Sequence, residues 1–355
     1  MTNRTLIVGA GLSGLALAHQ LAAEGRPFVL VEARDRVGGR ILTETVGDAA
    51  FDLGPAWFWP GQPRIAALIR TLGLKQFDQY ASGALTYEDA DGQVQRGRGY
   101  ASMEGSVRLQ GGLSALTDAL AAPLPPETLR LSCPVRSVTK TARGVSATTV
   151  DGHRIEAARA VLAMPPRLAA QLTLTPELPP HATQLMESTP TWMAGQAKAV
   201  AVYDTPFWRD AGLSGDAMSR HGPMVEIHDA SPARDGPFAL FGFIGVPPNA
   251  RENTDTLRAA IIAQLERLFG PDAAHPQAVI IKDWAHDGFT ATARDSAPVY
   301  AHPTYGRPAA LQTLWEGALF LGGTETAPQF GGFLEGALEA AEHVMTELRD
   351  TVGMA

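Results

Sequence analysis

The sequence predicts an α/β protein with a larger nucleotide-binding domain and a second, smaller α+β domain, and three stretches carry that reading. Thr5–Val8 is an apolar, β-branched run of strand length, followed at once by Gly9-Ala10-Gly11-Leu12-Ser13-Gly14. Residues 15–25 then read as a helix stopped by glycine, and a second strand, Phe28–Val31, ends in Glu32. Near the other end, residues 318–321 form a strand running into Gly322-Gly323-Thr324-Glu325-Thr326, and Gly331-Gly332-Phe333-Leu334-Glu335 opens a helix continuing to about residue 349.

Strand, glycine turn, helix, strand, acid is the order of a dinucleotide-binding βαβ unit. Gly9 makes the tight turn, Gly11 lets backbone N–H groups approach a pyrophosphate, and Gly14 lets the helix pack close to the strand. The helix N-terminus presents unpaired N–H groups and a positive dipole end to phosphate. Glu32, eighteen residues after Gly14, can accept hydrogen bonds from a ribose diol. The chain then reads Ala33-Arg34-Asp35-Arg36-Val37-Gly38-Gly39-Arg40. A unit for a short dinucleotide has no need of this second glycine pair, whereas a longer dinucleotide lying across the domain does. Arg40 offers phosphate a planar fork of donors. Taken singly, each of these residues also reads as part of a solvated surface loop.

Together they resemble the FAD site of the flavin amine oxidase superfamily, which includes monoamine oxidase, polyamine oxidase and L-amino-acid oxidase. The resemblance implies a glutathione-reductase-like FAD-binding Rossmann domain. It places cofactor contacts at Gly9, Gly11, Leu12, Ser13, Gly14, Glu32, Ala33, Arg34, Gly38, Gly39 and Arg40.

Composition sets the outer bounds. The chain has 355 residues, 45% hydrophobic and 19% charged, enough for a sizeable core and two domains. A net charge of −8 disfavours a nucleic-acid surface. No run of about 18 apolar residues suggests a membrane span. The N-terminus reads as a strand rather than a signal segment. Cys133, the one cysteine, permits no intrachain disulfide and points to a reducing compartment, the cytoplasm. Beside Pro134 it reads as a buried small hydrophobe.

In chain order, residues 50–60 form a turn-rich aromatic loop. The resemblance implies that Gly54, Pro55, Ala56 and Trp57 pass over the flavin ring. Trp57, Phe58 and Trp59 either stack near it and wall the substrate cavity or form a buried hydrophobic corner. Residues 64–74 read as an amphipathic helix, and residues 77–100 as a hairpin around Asp91-Gly92. Residues 109–120 contain a helix, 129–138 and 144–150 are strand-like, and 159–166 is a buried strand stopped by two prolines. Val135 matches the position whose backbone touches the adenine in the family.

Lys198 stands in an otherwise apolar strand-like run, where an unpaired ammonium is costly. It reads either as an edge-strand lysine snorkelling to water or as a functional group. In the oxidases a lysine nine residues before Phe-Trp reaches flavin N5 through a water, and Lys198 has that spacing to Phe207-Trp208. Further strands at 238–246 and 278–284 flank a helix at Thr254–Phe269. Asp283-Trp284-Ala285-His286-Asp287 resembles the segment returning to the FAD domain. Covalently flavinylated members carry a cysteine near the position of Asp295; none stands there, which implies noncovalent FAD. In the last segment the family contacts the cofactor through Gly323, Thr324 and Glu325, and aims a helix N-terminus at the flavin through Gly332, Phe333 and Leu334. Phe333 replaces a tyrosine that many members use in an aromatic cage.

The resulting expectation is an FAD domain from residues 1–74, 107–187 and 287–355 and a substrate domain from 75–106 and 188–286. The expected reaction oxidises a C–N bond of a small-molecule amine or amino-acid-like substrate by hydride transfer to flavin N5. Oxygen is the expected acceptor, and Lys198, Phe333 and Trp57 are the catalytic-site residues. The same frame also serves desaturases acting on C–C bonds and renalase-like oxidases of a dihydronicotinamide; a non-catalytic flavin-binding partner is the remaining alternative. Residues 75–106 are too few for the cap of longer relatives. The site is therefore either open or covered by a second subunit of a homodimer, with larger secondary amines or amino-acid derivatives preferred to small arylamines.

Overall fold

The computed structural model describes residues 3–297, 299 and 301–350. Its parallel sheet begins with β1 (Thr5–Val8), buried at every position, which pairs with β2 (Phe28–Val31) on one side and Arg159–Leu162 on the other. Leu319–Leu321 and Leu129–Arg130 complete the edges, and all neighbours run parallel. Strands covered on both faces read as near-continuous apolar runs, as Leu6–Val8, Phe28–Val31, Ala160–Leu162 and Leu319–Leu321 do. One face carries α1 (Leu12–Ala23), packed with the helix Leu334–Asp350. The other is closed by apolar residues of a four-stranded sheet, including Val138, Val145 and Ile155, and by Ala182 and Met186 of the helix Pro180–Ser188. This is the α/β Rossmann architecture that the sequence predicts.

Residues 129–138 are not one strand. Leu129–Arg130 ends the parallel sheet, Ser132 turns the chain at φ 50°, and Val135–Thr141 joins the four-stranded sheet. Nothing in that run marks the turn, since serine is unusual at positive φ.

A second sheet has seven strands. Its order is Ala278–Asp283, Ala197–Tyr203, Phe238–Ile244, Met224–Asp229, Leu213–Ser219, Ala84–Glu88 and Val94–Arg96. The hairpin around Asp91-Gly92 supplies the last two, while Gln76–Asp78 pairs elsewhere, with Val107–Leu109. Side chains alternate faces along a strand. Ala197, Ala199, Ala201 and Tyr203 therefore pack with Leu257, Ile261, Leu265 and Leu268 of the helix Thr254–Phe269, whose first turn is capped by the Asn253 side chain. Val200 and Val202 face the other way, towards Phe51, Leu53, Ala56 and Trp57. Lys198 shares that second face. Its strand is hydrogen-bonded along both sides, so the edge-strand reading of Lys198 is wrong. Among the described residues no helix is long and apolar enough to cross a membrane.

The turn after β1 leaves no room for side chains. A Cβ on Gly14 would lie 1.9 Å from the Gly9 carbonyl oxygen, and one on Gly9 would lie 2.6 Å from that of Ala163. Both neighbours are backbone and cannot swing aside. Gly14→Ala is expected to cost about 3 kcal/mol, the upper part of the usual overpacking range. The check is a urea unfolding curve: a midpoint equal to wild type would show that the turn relaxes freely.

Candidate active site

A cleft of about 850 Å3 lies where the parallel sheet meets the seven-stranded sheet. Three adjacent strands deliver their C-terminal ends to it: β1 leads to Gly9, Arg159–Leu162 to Ala163 and Met164, and Leu319–Leu321 to Gly323.

At the β1 end, Gly9, Gly11, Leu12 and Ser13 line the cleft. No side chain caps the N-terminus of α1. A Cβ on Gly11 would meet only the Gly38 carbonyl, at 3.9 Å, so this turn faces open space. Gly38 and Gly39 form the opposing loop. Arg36 braces it from behind, donating to the carbonyls of Gly39 at 2.9 Å and of Val37 and Ile41 at 3.0 Å. Arg40 also lines the cleft and donates to Glu325 Oε1 at 2.7 Å, while Glu325 Oε2 is buried without a hydrogen-bond partner. Glu32 Oε2 accepts from the Ala10 N–H at 2.8 Å, and its Oε1 from the Arg34 N–H at 3.0 Å. Two such bonds orient the carboxylate and leave lone pairs for a diol. Ala33 and Arg34 are beside it, and the Arg34 guanidinium is held by Asp287 at 2.6 Å and Thr290 at 2.9 Å.

Val135 lines the cleft together with Pro134, Val150 and Cys133. Cys133 is half-buried on the cleft wall rather than a core residue. Two expected cofactor contacts do not line the cleft. Gly14 lies beneath the turn, where its role is the close approach to Gly9, and Glu325 is fully buried behind Arg40. Glycine spacing does not distinguish a residue facing a ligand from one packed under it.

At the other end Gly54, Pro55, Ala56 and Trp57 form a wall. Lys198 Nζ donates to the Gly54 carbonyl oxygen and stands over the rings of Phe241, Phe243 and Trp57, at 4.8, 4.9 and 5.7 Å from their centroids. Burial pulls the Lys198 ammonium down to about 7, against the opposing attraction of Asp52. Both readings of Trp57 hold, because it lines the cleft while packing edge-on against Phe241 at 5.2 Å. Its Nε1 donates to Gln79 at 2.8 Å. Trp59 also lines the cleft, whereas Phe58 turns into the core of the parallel sheet and walls nothing. Gly323, Thr324, Gly332, Phe333 and Leu334 close the far side. Phe333 stacks on His302 at 4.6 Å, with the planes 10° apart, and Trp192 meets the same imidazole at 5.0 Å.

Sequence reasoning missed Trp192, Gln196, Glu226 and Phe243 on the lining. Strand alternation reveals Phe243 and Glu226 only once the register with Lys198 is known, and Trp192 carries no signal.

The Lys198 environment has a measurable consequence. An unfolded lysine keeps a pKa of about 10.4, so between about pH 7 and 10 the unfolded chain binds more protons and folding stability rises with pH. Below about 7 both states are protonated and this contribution is constant. Urea unfolding at about pH 7.5 and 9.5 should show a stability gain in wild type that Lys198→Met reduces. Equal gains in the two proteins would place the Lys198 ammonium in water.

The chain is similar to known proteins over nearly its whole length. The family model described as flavin containing amine oxidoreductase matches residues 12–101 and 88–345. A probable flavin-containing monoamine oxidase A of Dictyostelium discoideum is 24% identical, with 97% of each chain covered. The putrescine oxidase of Kocuria rosea is 25% identical over 80% of this chain and 82% of its own. In structure, a cyclohexylamine oxidase from Brevibacterium oxydans superposes with a TM-score of 0.85 at 21% identity, covering 99% of this chain and 100% of that one. With an open glycine cradle and an oriented acid at one end of the cleft and a buried lysine at the other, the chain belongs to the flavin-containing amine oxidoreductase family.

Proposed function

We propose that the cleft holds noncovalent FAD along its length and oxidises an amine against the wall formed by Lys198, Trp57 and Phe333. Family membership makes the chain an FAD-dependent oxidoreductase of amines, rather than a desaturase or a dihydronicotinamide oxidase. One observation carries the assignment of the site: a single cleft joins the cradle at Gly11, Gly38 and Gly39 to the aromatic wall around Lys198.

The α1 N-terminus, Gly38, Gly39 and Arg40 would hold the pyrophosphate, and Glu32 the ribose diol. Glu325, buried behind Arg40, holds the guanidinium at the cleft wall. Val135, Pro134 and Val150 offer an apolar wall for the adenine. Bound there, FAD supplies the hydride acceptor. Trp57, Phe243 and Phe333 exclude water and orient the carbon that loses hydride. Lys198 stands among them with its pKa near neutrality, able to hold or release a proton at Nζ. No other acid or base is required of the wall.

In this reading residues 1–74, 107–187 and 287–355 build the cofactor side and residues 75–106 and 188–286 the substrate side. Membership of the parallel and seven-stranded sheets supports that division. Oxygen is the proposed electron acceptor, and the lone Cys133 supports work in a reducing compartment, the cytoplasm. Val150, Val225 and Phe289 line the cleft yet are 62, 43 and 50% exposed, an apolar rim that a second subunit would cover in a homodimer.

Two measurements test the assignment. Acid precipitation should release all the flavin into the supernatant; flavin retained on the polypeptide would overturn noncovalent binding. Anaerobic mixing with an amine panel should bleach the visible flavin band, with peroxide formed on re-aeration. Lys198→Met should slow reoxidation by oxygen more than it slows bleaching. Bleaching by a dihydronicotinamide and by no amine would favour the alternative oxidase.

A further inference from the structure

A buried side chain outside the cleft sets how the aromatic wall of the cleft is turned. Trp57 packs edge-on against Phe241 at 5.2 Å and against His228 at 5.4 Å. Ring contacts of this kind tolerate more than one setting of the indole, because the outer torsion of a tryptophan is broad. A hydrogen bond from Nε1 does not. Its acceptor, Gln79 Oε1 at 2.8 Å, selects one setting. The ring held in this way has Lys198 Nζ 5.7 Å from its centroid and forms part of the cleft lining.

Gln79 does not line the cleft; it is buried behind it, and its side-chain amide has three bonds. Nε2 donates to the Asp229 carbonyl at 2.7 Å and to the Tyr80 carbonyl at 3.0 Å. Carbonyl oxygens only accept, so the amide nitrogen must face them and the amide oxygen must face Trp57. Both carbonyls belong to residues that Arg209 holds. Its guanidinium lies 3.9 Å over the Tyr80 ring and donates to the buried Asp229 carboxylate at 2.7 and 2.8 Å. Trp208 Nε1 donates to the same carboxylate at 2.8 Å. The imidazole on the other edge of Trp57 is fixed as well. His228 Nδ1 lies 2.6 Å from Asp216 Oδ1, and its Nε2 lies 2.9 Å from Glu226 Oε1.

Burying an amide costs free energy unless its bonds are made, so this position is occupied for its bonds rather than for apolar packing. Within the amine-oxidising reading above, we propose that Gln79 is a positioning residue of the reaction. It fixes the Trp57 ring against the substrate and beside Lys198, and Arg209 steadies it through Tyr80 and Asp229. Gln79 itself touches neither substrate nor cofactor. Its contribution is the single orientation of the wall against which the reacting carbon is held.

A double-mutant cycle on the holoprotein separates positioning from packing. Gln79→Leu should lower kcat for an amine about tenfold and leave KM within about twofold, the pattern of a misaligned reacting carbon. It should also slow the reoxidation by oxygen of dithionite-reduced flavin, a step that needs no amine. Trp57→Phe has no indole N–H to hold, and in that background the same substitution should change each rate by less than about twofold. Gln79→Met, closer to glutamine in length, should repeat the pattern more mildly, and flavin content and melting temperature confirm that each variant folds. The indole N–H signal absent from Trp57→Phe identifies Trp57 in isotope-edited NMR spectra, and its protection from exchange should fall in Gln79→Leu. Loss of that protection with non-additivity in either rate supports the positioning role. Wild-type rates in Gln79→Leu, equal losses in both Trp57 backgrounds, or an indole proton that stays protected overturns it. Non-additivity in reoxidation without bleaching by any amine would leave the role of Gln79 standing and sink the amine oxidation.

Discussion

A side chain at Gly14 would have to share space with the Gly9 carbonyl oxygen, and one at Gly9 with that of Ala163. Gly323 repeats the constraint, since a Cβ there would lie 2.2 Å from the Met164 carbonyl oxygen. These contacts let three parallel strands end side by side with their turns touching. Ser13 Oγ, 2.5 Å from the Gly322 carbonyl, ties the first turn to the third. Only because backbone meets backbone here does the N-terminus of α1 reach the cleft wall. The conformational entropy that glycine forfeits is offset by strands whose apolar side chains are almost completely buried.

That constraint explains what could be read in advance. Close approach demands glycine at fixed spacing, and a doubly covered strand demands a continuous apolar run; both leave local marks. The cradle, the acid at Glu32 and the terminal helix were therefore legible. Lys198 was legible as an anomaly, because an ammonium in an apolar run needs a reason. Ser132 was not, since the switch between sheets there depends on tertiary packing. Neither was the partnership of Glu226, His228 and Asp216. It arises from pairing between strands, and a single sequence does not state which strands pair or in what register. The expectation of cofactor contacts at Gly14 and Glu325, and the two readings left open at Phe58, share a cause: a motif names the residues of a loop without saying which of them look inward.

The seven-stranded sheet separates its two faces by chemistry. Under the helix Thr254–Phe269 the Ala197–Tyr203 strand contributes alanines and a tyrosine, and packing there is apolar. On the opposite face the same strand and its neighbours carry Lys198, Glu226 and His228 among Phe241, Phe243 and Trp57. Charges set among aromatic rings and shielded from water act on a ligand more strongly than the same charges on a surface. The helix closes one face of the sheet with an apolar core, and the opposite face, towards the cleft, carries the polar groups.

Ser13 and Gly322, which meet at the base of the cleft, are separated by 309 positions in the chain. The helix Leu334–Asp350 also packs directly on α1. During synthesis the first turn emerges well before residue 322 and must wait for that partner while the residues between them are made. Meanwhile β1 and α1 expose apolar faces destined for residues not yet added. In the proposed reading, capture of the dinucleotide follows synthesis of Gly322 and of the helix Leu334–Asp350, and a product terminated before them would be colourless.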